Sequence, residues 1–307
     1  MAVFVAIILT RRPCVLYPFT QEYFMSASSD PKTIYFIAGL PRSGSTLLTN
    51  ILAQNPTCYT TPTSGIIDML INVRNHWDQN EAFKAMDSTL SEQIKQRVMT
   101  DMLQSYFAHA PQPICIDKNR FWCEFLEMAA ALVGGRDKVK VIVTVRDLRD
   151  VLASFEQLYR NTSGLGQLPH ENKMAMKFKT ARGRVEVFAD DSQPVGRAFN
   201  AIRDAITRGW RENMHFVEYD ALTGSPQKTL DGIYDFLGQP RHQHDFNHVE
   251  QVTHEDDAVY GFKDLHVIRN KVEPQAPKWQ KIYDDSVFSA PAWKNIEGMA
   301  QFWKAYK

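Results

Sequence analysis

The sequence predicts an α/β fold, a three-layer sandwich in which a central parallel sheet carries helices on both faces. Two runs, 33–39 and 139–145, are rich in β-branched and aromatic residues and apolar almost throughout, as strands covered on both faces are. Each run leads straight into a helical pattern, 45–54 after the first and 147–158 after the second, which is the strand-then-helix grammar of parallel sheets. The first junction is a turn bounded by Gly39 and Gly44. A chain of 307 residues with 44% hydrophobic composition is long enough for one such domain with appended segments.

Residues 1–30 read differently from the rest. Ala2 to Leu9 is apolar but far shorter than the roughly 20 residues that cross a bilayer. Arg11 and Arg12 follow this run, whereas a secretory signal places its charge before it. The segment is therefore read as an extension upstream of a natural start at Met25, with a weak membrane anchor as the alternative and no stable membrane span. Residues 31–307 form the single domain, with helical insertions and a C-terminal capping segment.

The organising stretch is Gly39-Leu-Pro-Arg-Ser-Gly-Ser-Thr46, which has the spacing G-x-x-x-x-G-S-T. Loop amides and the N-terminus of the following helix carry partial positive charge, so Pro41 to Thr46 make a cradle for a phosphoryl group. This makes the sandwich one of the P-loop type, with one departure: Ser45 stands where nucleotide-hydrolysing proteins carry Lys. That Lys reaches the β- and γ-phosphates of a triphosphate. Its absence, with Arg42 inside the loop, points to a mononucleotide donor whose transferred group lies beside a guanidinium.

After the loop, Leu47, Leu48, Ile51 and Leu52 recur at helical spacing until Asn55-Pro56, and residues 57–64 read as a Thr- and Pro-rich connection. Ile66, Leu70, Val73 and Trp77 mark one face of a helix over 65–77. Ile94, Val98, Met102 and Tyr106 do the same over 91–109, capped through Thr89 and Glu92 or by Ser88 or Ser91. These two helices are expected on the substrate side. Pro113 to Lys118 reads as a short buried strand, and ligands bind at the carboxyl ends of such strands. Lys118 and Arg120 are thus candidates for contact with the acceptor or the transferred group. At the end of the second long strand, Arg146 is separated from Ser154 by two turns of helix. A guanidinium and a hydroxyl so placed can grip one phosphate.

Together these segments resemble the sulfotransferases that use 3′-phosphoadenosine-5′-phosphosulfate (PAPS). In that family a loop like Gly39 to Thr46 binds the 5′-phosphosulfate, and a strand-to-helix turn with the spacing of Arg146 to Ser154 binds the 3′-phosphate. Arg42 in place of Lys is nearer the tyrosylprotein and bacterial branches. A third segment, Tyr219-Asp220 followed by 225–238, is similar to the family's strand ending in Tyr and its helix ending in Phe-Leu-Gly. Ser225 as N-cap, Pro226 in the first turn and Gly238 as C-cap support that helix on physical grounds.

The resemblance implies in-line transfer of a sulfuryl group from PAPS to a small-molecule, saccharide or protein hydroxyl, or to an amine, with no metal. Arg42 and Lys118 would be catalytic, and Pro41, Ser43, Gly44, Ser45, Thr46, Arg146 and Ser154 would hold the donor. Tyr219 would touch the adenine, and Arg269 and Lys271 would reach the 3′-phosphate from a late loop. A general base is also required. Small-molecule enzymes of the family place a His two residues after a Lys, but Arg120 holds that position. Tyrosylprotein enzymes place a Glu after the first helix, where this chain has Thr61 to Ser64. Asp68, His76, Asp117 and His254 are the remaining candidates.

Other segments carry weaker signals. Residues 165–194, rich in Lys, Arg and turn formers, read as a mobile flap. Val195, Phe199, Ile202, Ile206 and Trp210 mark a long amphipathic helix with solvated arginines. His242, His244 and His248 match no zinc spacing and are not read as a metal site. With 35 basic and 35 acidic residues the chain lacks a nucleic-acid footprint. Cys14, Cys58, Cys115 and Cys123 show no C-x-x-C spacing, which fits reduced thiols in a cytoplasmic protein. Two alternatives stay open: a P-loop kinase, which would need a metal-holding Asp such as Asp117, and a non-catalytic nucleotide binder.

Overall fold

The structure, a computed structural model, describes residues 30–162 and 176–306. Five strands, β1 (Thr33–Gly39), β2 (Cys58–Thr63), β3 (Ile114–Lys118), β4 (Val141–Val145) and β5 (Met214–Glu218), form one parallel sheet in the order β2-β3-β1-β4-β5. The helices of six or more residues are α1 (Ser45–Leu52), α2 (Ile66–Gln79), α3 (Ser88–Tyr106), α4 (Leu126–Val133), α5 (Leu148–Thr162), α6 (Ala181–Phe188), α7 (Pro194–Thr207), α8 (Tyr219–Gly224), α9 (Pro226–Leu237) and α10 (Pro291–Met299).

The alternation of a pleated strand divides the core in two. Ile34, Phe36 and Ala38 of β1 join a large cluster with α2 to α7 and α10, while Tyr35 and Ile37 join a smaller one with α1 and α9. The sheet is thus covered on both faces, as the continuous apolar strands require. β1 is central, and its carboxyl end lies between those of β3 and β4, where chain direction switches from one half of the sheet to the other.

Several expectations need correction. Residues 58–63 are not a connection but the edge strand β2. Pro62 hid it, because proline donates no ladder hydrogen bond and is confined to edges and irregular register, and the register does shift between Thr60 and Thr63. Helix α3 buries Ser91, Met99 and Leu103 and leaves Val98 and Tyr106 exposed. Residues four apart drift by about 40° per step around a helix, so the row Ile94 to Tyr106 turns out of the interface. Its N-cap is Asp87, whose carboxylate accepts from the Leu90 amide, rather than Thr89, Ser88 or Ser91.

The first part of the expected flap, 165–175, lies outside the described residues, as do residues 1–29 and 163–164. The rest of it includes α6, which buries Val185, Val187 and Phe188 against α5 and so belongs to the core. The helix expected from Val195 ends at Thr207, and Trp210 packs beyond it with its Nε1–H on Glu127 at 2.8 Å. In α9, Pro226 opens the helix after Ser225, whose side chain makes no capping bond, and Gly238 closes it at φ 69°.

Candidate active site

The turn from β1 to α1 is held by contacts that only its sequence allows. At Gly39, with φ 132°, a Cβ would stand 2.1 Å from the Thr144 carbonyl oxygen, so glycine is what lets β1 lie against β4 here. Gly44 has φ 89°, and a Cβ there would fall 2.7 Å from the ring of Tyr219. Ser43 turns its hydroxyl inward, donating to the Leu40 carbonyl at 2.5 Å and lying 2.8 Å from Thr144 Oγ1. It fixes the loop from beneath, and its side chain is buried away from the cavity that the other predicted loop residues line. Helix α1 begins with no side-chain cap on its first amides, which leaves donors for an anion.

Above this loop is a cavity of about 420 Å³, at the carboxyl ends of β1, β3, β4 and β5. Of the residues singled out from the sequence, Pro41, Arg42, Gly44, Ser45, Thr46, Lys118, Arg120, Arg146, Ser154, Tyr219, Arg269 and Lys271 line it. On one wall, Arg42 adopts φ 60°, a costly conformation for a residue with a Cβ, and is held in it by three partners. Its Nε donates to Ser154 Oγ at 3.1 Å, its Nη1 to the Leu265 carbonyl, and its own carbonyl accepts from Arg146 Nη1 at 3.5 Å. The Arg146 guanidinium lies over the Tyr219 ring at 4.3 Å. Burial and the neighbouring Arg146 lower the pKa of Arg42.

On the opposite wall, Lys118 Nζ lies 3.4 Å from Thr46 Oγ1 and 3.0 Å from Glu255 Oε1. Burial pulls Lys118 below the usual lysine range despite this pair. Burial alone would raise Glu255, but Lys118 and the Thr63 amide outweigh it and hold the carboxyl below its usual range. Arg120 is likewise lowered by burial.

Residues 246–272 strap the cavity. The Val272 amide donates to the Phe246 carbonyl at 2.8 Å, and Asn50 of α1 accepts from the amides of Val252 and Thr253. Gln251 ties the two limbs of the strap by bonding the His266 carbonyl and the Ile268 amide. The strap also contributes residues that sequence reasoning missed: Glu255, Asp257 and His266. His266 Nδ1 lies 2.6 Å from Asp257 Oδ1 and 3.4 Å from Glu255 Oε2. No spacing rule marks them, since the pairing exists only once the strap has folded back.

The four base candidates from the sequence do not face the cavity. His254 is exposed, and Asp68 and His76 lie on α2 away from the cavity lining. Asp117 sits one residue before Lys118 and so points to the other face of β3, where its Oδ2 accepts from Trp122 Nε1 at 2.7 Å. Burial pushes its carboxyl up to about 6. Buried among the large cluster, it is not available to hold the metal that a kinase would need. His244 stacks on Tyr234, with Nε2 3.1 Å from the phenol oxygen.

A family model described as "Sulfotransferase family" matches residues 35–243, which include the loop, Lys118, Arg146, Ser154 and Tyr219. The chain belongs to the sulfotransferase family. Among curated members, mouse carbohydrate sulfotransferase 1 is 26% identical over 178 residues, 56% of this chain and 41% of that protein. The chain thus matches less than half the length of that relative. Two solved family domains share the fold. The sulfotransferase domain from the curacin biosynthetic pathway aligns with a TM-score of 0.53 at 19% identity, over 90% of this chain and 99% of its own. The sulfotransferase domain of the Synechococcus PCC 7002 olefin synthase gives 0.55 at 18%, over 91% and 98%. No helix among the described residues is long and apolar enough to cross a membrane.

Proposed function

We propose that the protein is a PAPS-dependent sulfotransferase that moves the sulfuryl group to a hydroxyl or amine acceptor by in-line displacement, releasing adenosine 3′,5′-bisphosphate. The observation that carries this reading is Arg146. Its Nε is buried with no hydrogen-bond partner among the described residues, in a cavity also lined by Arg42, Lys118, Arg120, Arg269, Lys271 and Lys278, of which Lys118 and Lys271 have carboxylate partners in Glu255 and Glu273. A buried donor left unpaired costs about 1–3 kcal/mol, so a cavity with this lining is built for an anion that supplies the missing partner. The residues present therefore fit a donor bearing phosphate at both ends. PAPS supplies an activated sulfuryl group on a good leaving phosphate.

Arg146 and Ser154 bind the 3′-phosphate, and the first amides of α1 with Ser45 and Thr46 bind the 5′-phosphate. Lys118, beside Thr46, offsets charge on the bridging and sulfuryl oxygens. Arg42 donates through Nε to Ser154 Oγ in this conformation, and its charge adds to that of Arg146. Arg269, Lys271 and the Tyr219 ring close the nucleotide end. Acceptors in reach of this chemistry are small molecules, saccharides and protein hydroxyls, and the name of the mouse relative favours a saccharide. The free buried thiols of Cys58, Cys115 and Cys123 support a reducing compartment, the cytoplasm.

Calorimetric titration of the purified chain tests the reading. Adenosine 3′,5′-bisphosphate should bind without metal and at least tenfold more tightly than ATP with magnesium, and Arg146→Ala should weaken it by about 10–100-fold, the loss of a charge-assisted pair. Preference for ATP with magnesium would overturn it.

A further inference from the structure

The reaction requires a group that removes the acceptor's proton, and every candidate read from the sequence lies off the cavity. The strap supplies another. His266 lines the cavity, and its Nδ1 is engaged by Asp257 Oδ1 at 2.6 Å while the Asp257 Oδ2 accepts from the His266 amide at 3.0 Å. Asp257 thus grips both ring and backbone of one residue. An imidazole held through Nδ1–H presents the lone pair of Nε2, which makes no hydrogen bond among the described residues. The position is at the sulfuryl end of the site: Thr46, Lys118, Glu255 and His266 follow one another at 3.4, 3.0 and 3.4 Å.

We infer that His266, oriented by Asp257, is the general base of the transfer, an inference that rests on the reading above. As the acceptor oxygen forms its bond to sulfur, the bond from sulfur to the bridging oxygen breaks and its electron pair stays on the departing 5′-phosphate. The acceptor's proton passes to His266 Nε2 and then to solvent. The groups facing the ring are Asp257, Glu255 and Lys118, with the Tyr260 ring edge-on at 5.4 Å. Burial lowers the imidazole pKa, and Asp257 and Glu255 offset this in part. The ring is therefore neutral and able to accept a proton at neutral pH. Asp257 acts as a positioning residue. Glu255, saturated by Lys118, Thr63 and Tyr260, anchors Lys118 instead.

The test follows release of adenosine 3′,5′-bisphosphate from PAPS across pH, with water and with N-acetylglucosamine as acceptors, beside calorimetric binding of the bisphosphate. His266→Gln should bind the bisphosphate within about threefold of wild type yet release it at least 100-fold more slowly, with the acid limb of the profile gone. Asp257→Asn should keep the limb but move it to lower pH, since a contact that raises the imidazole pKa is lost. A His266→Gln chain that binds normally and retains either the rate or the acid limb overturns the assignment. Failure of the wild type to bind the bisphosphate overturns the donor reading instead. NMR of the imidazole needs no turnover: the Nδ1–H neutral tautomer is expected at pH 7.5, and an Nε2–H tautomer or an imidazolium there would exclude His266 as the base.

Discussion

At the scale of single residues, neighbours in the chain do opposite work. Arg42 opens toward the cavity while Ser43 is locked into the sheet, and Lys118 faces the loop while Asp117 is buried behind it. Asp117 stays at a cost. Its folded value of about 6 lies above the unfolded carboxylate value of 3.8, so the native state binds the extra proton and stability falls as pH rises through that window. Above it the penalty is about 3 kcal/mol at most. Asp117→Asn should therefore raise the melting temperature at pH 7.5 and leave it nearly unchanged at pH 4, measured by calorimetry. Part of the site's lining was legible: the octet, Ser43 apart, and the Arg146 to Ser154 step are local patterns, and the end of β3 places Lys118. For Ser43, spacing names a loop position without saying that its hydroxyl turns inward.

At the scale of elements, α5 and α6 meet through a buried ion pair. Glu156, 1% exposed, accepts from Arg184 Nε and Nη2 at 2.7 Å and from Arg160 at the same distance. Glu156→Gln would leave the buried Arg184 without its counter-charge, and a loss of about 3–5 kcal/mol in urea unfolding is expected. Replacing both by apolar residues of similar volume, Glu156→Leu with Arg184→Met, should recover most of it. That pairing explains why residues 176–194 read as a flap. Lys, Arg and turn residues look solvated in a sequence, and only the distant Glu156 makes one of those arginines part of the core. β2 was lost for a related reason, since the Pro62 signal is local and the permissive edge position is not.

At the scale of the whole molecule, the site is completed by a strap from the far end of the chain. Lys118 of β3 and Arg42 of the loop are each bonded to it, through Glu255 and the Leu265 carbonyl. Glu255→Gln should loosen it: amides of residues 252–268 are expected to exchange about tenfold faster, while those of β1 and β4 are unchanged. Equal exchange throughout would mean that the pair does not hold the strap. The sheet and the loop residues that line the cavity were readable because they repeat known local grammar. The base was not, because Asp257 and His266 have meaning only against a surface made by residues 40–120.

The strand order carries one more consequence. Among the described strands β1 comes first in the sequence, yet its partners are residues 114–118 and 141–145, so none of these strands can pair with it until residues 114–118 have emerged from the ribosome. The stretch that organises the finished protein is thus the one left longest without neighbours during synthesis. In that interval its apolar row is open to transient collapse with nearby segments such as α1, or to chaperones.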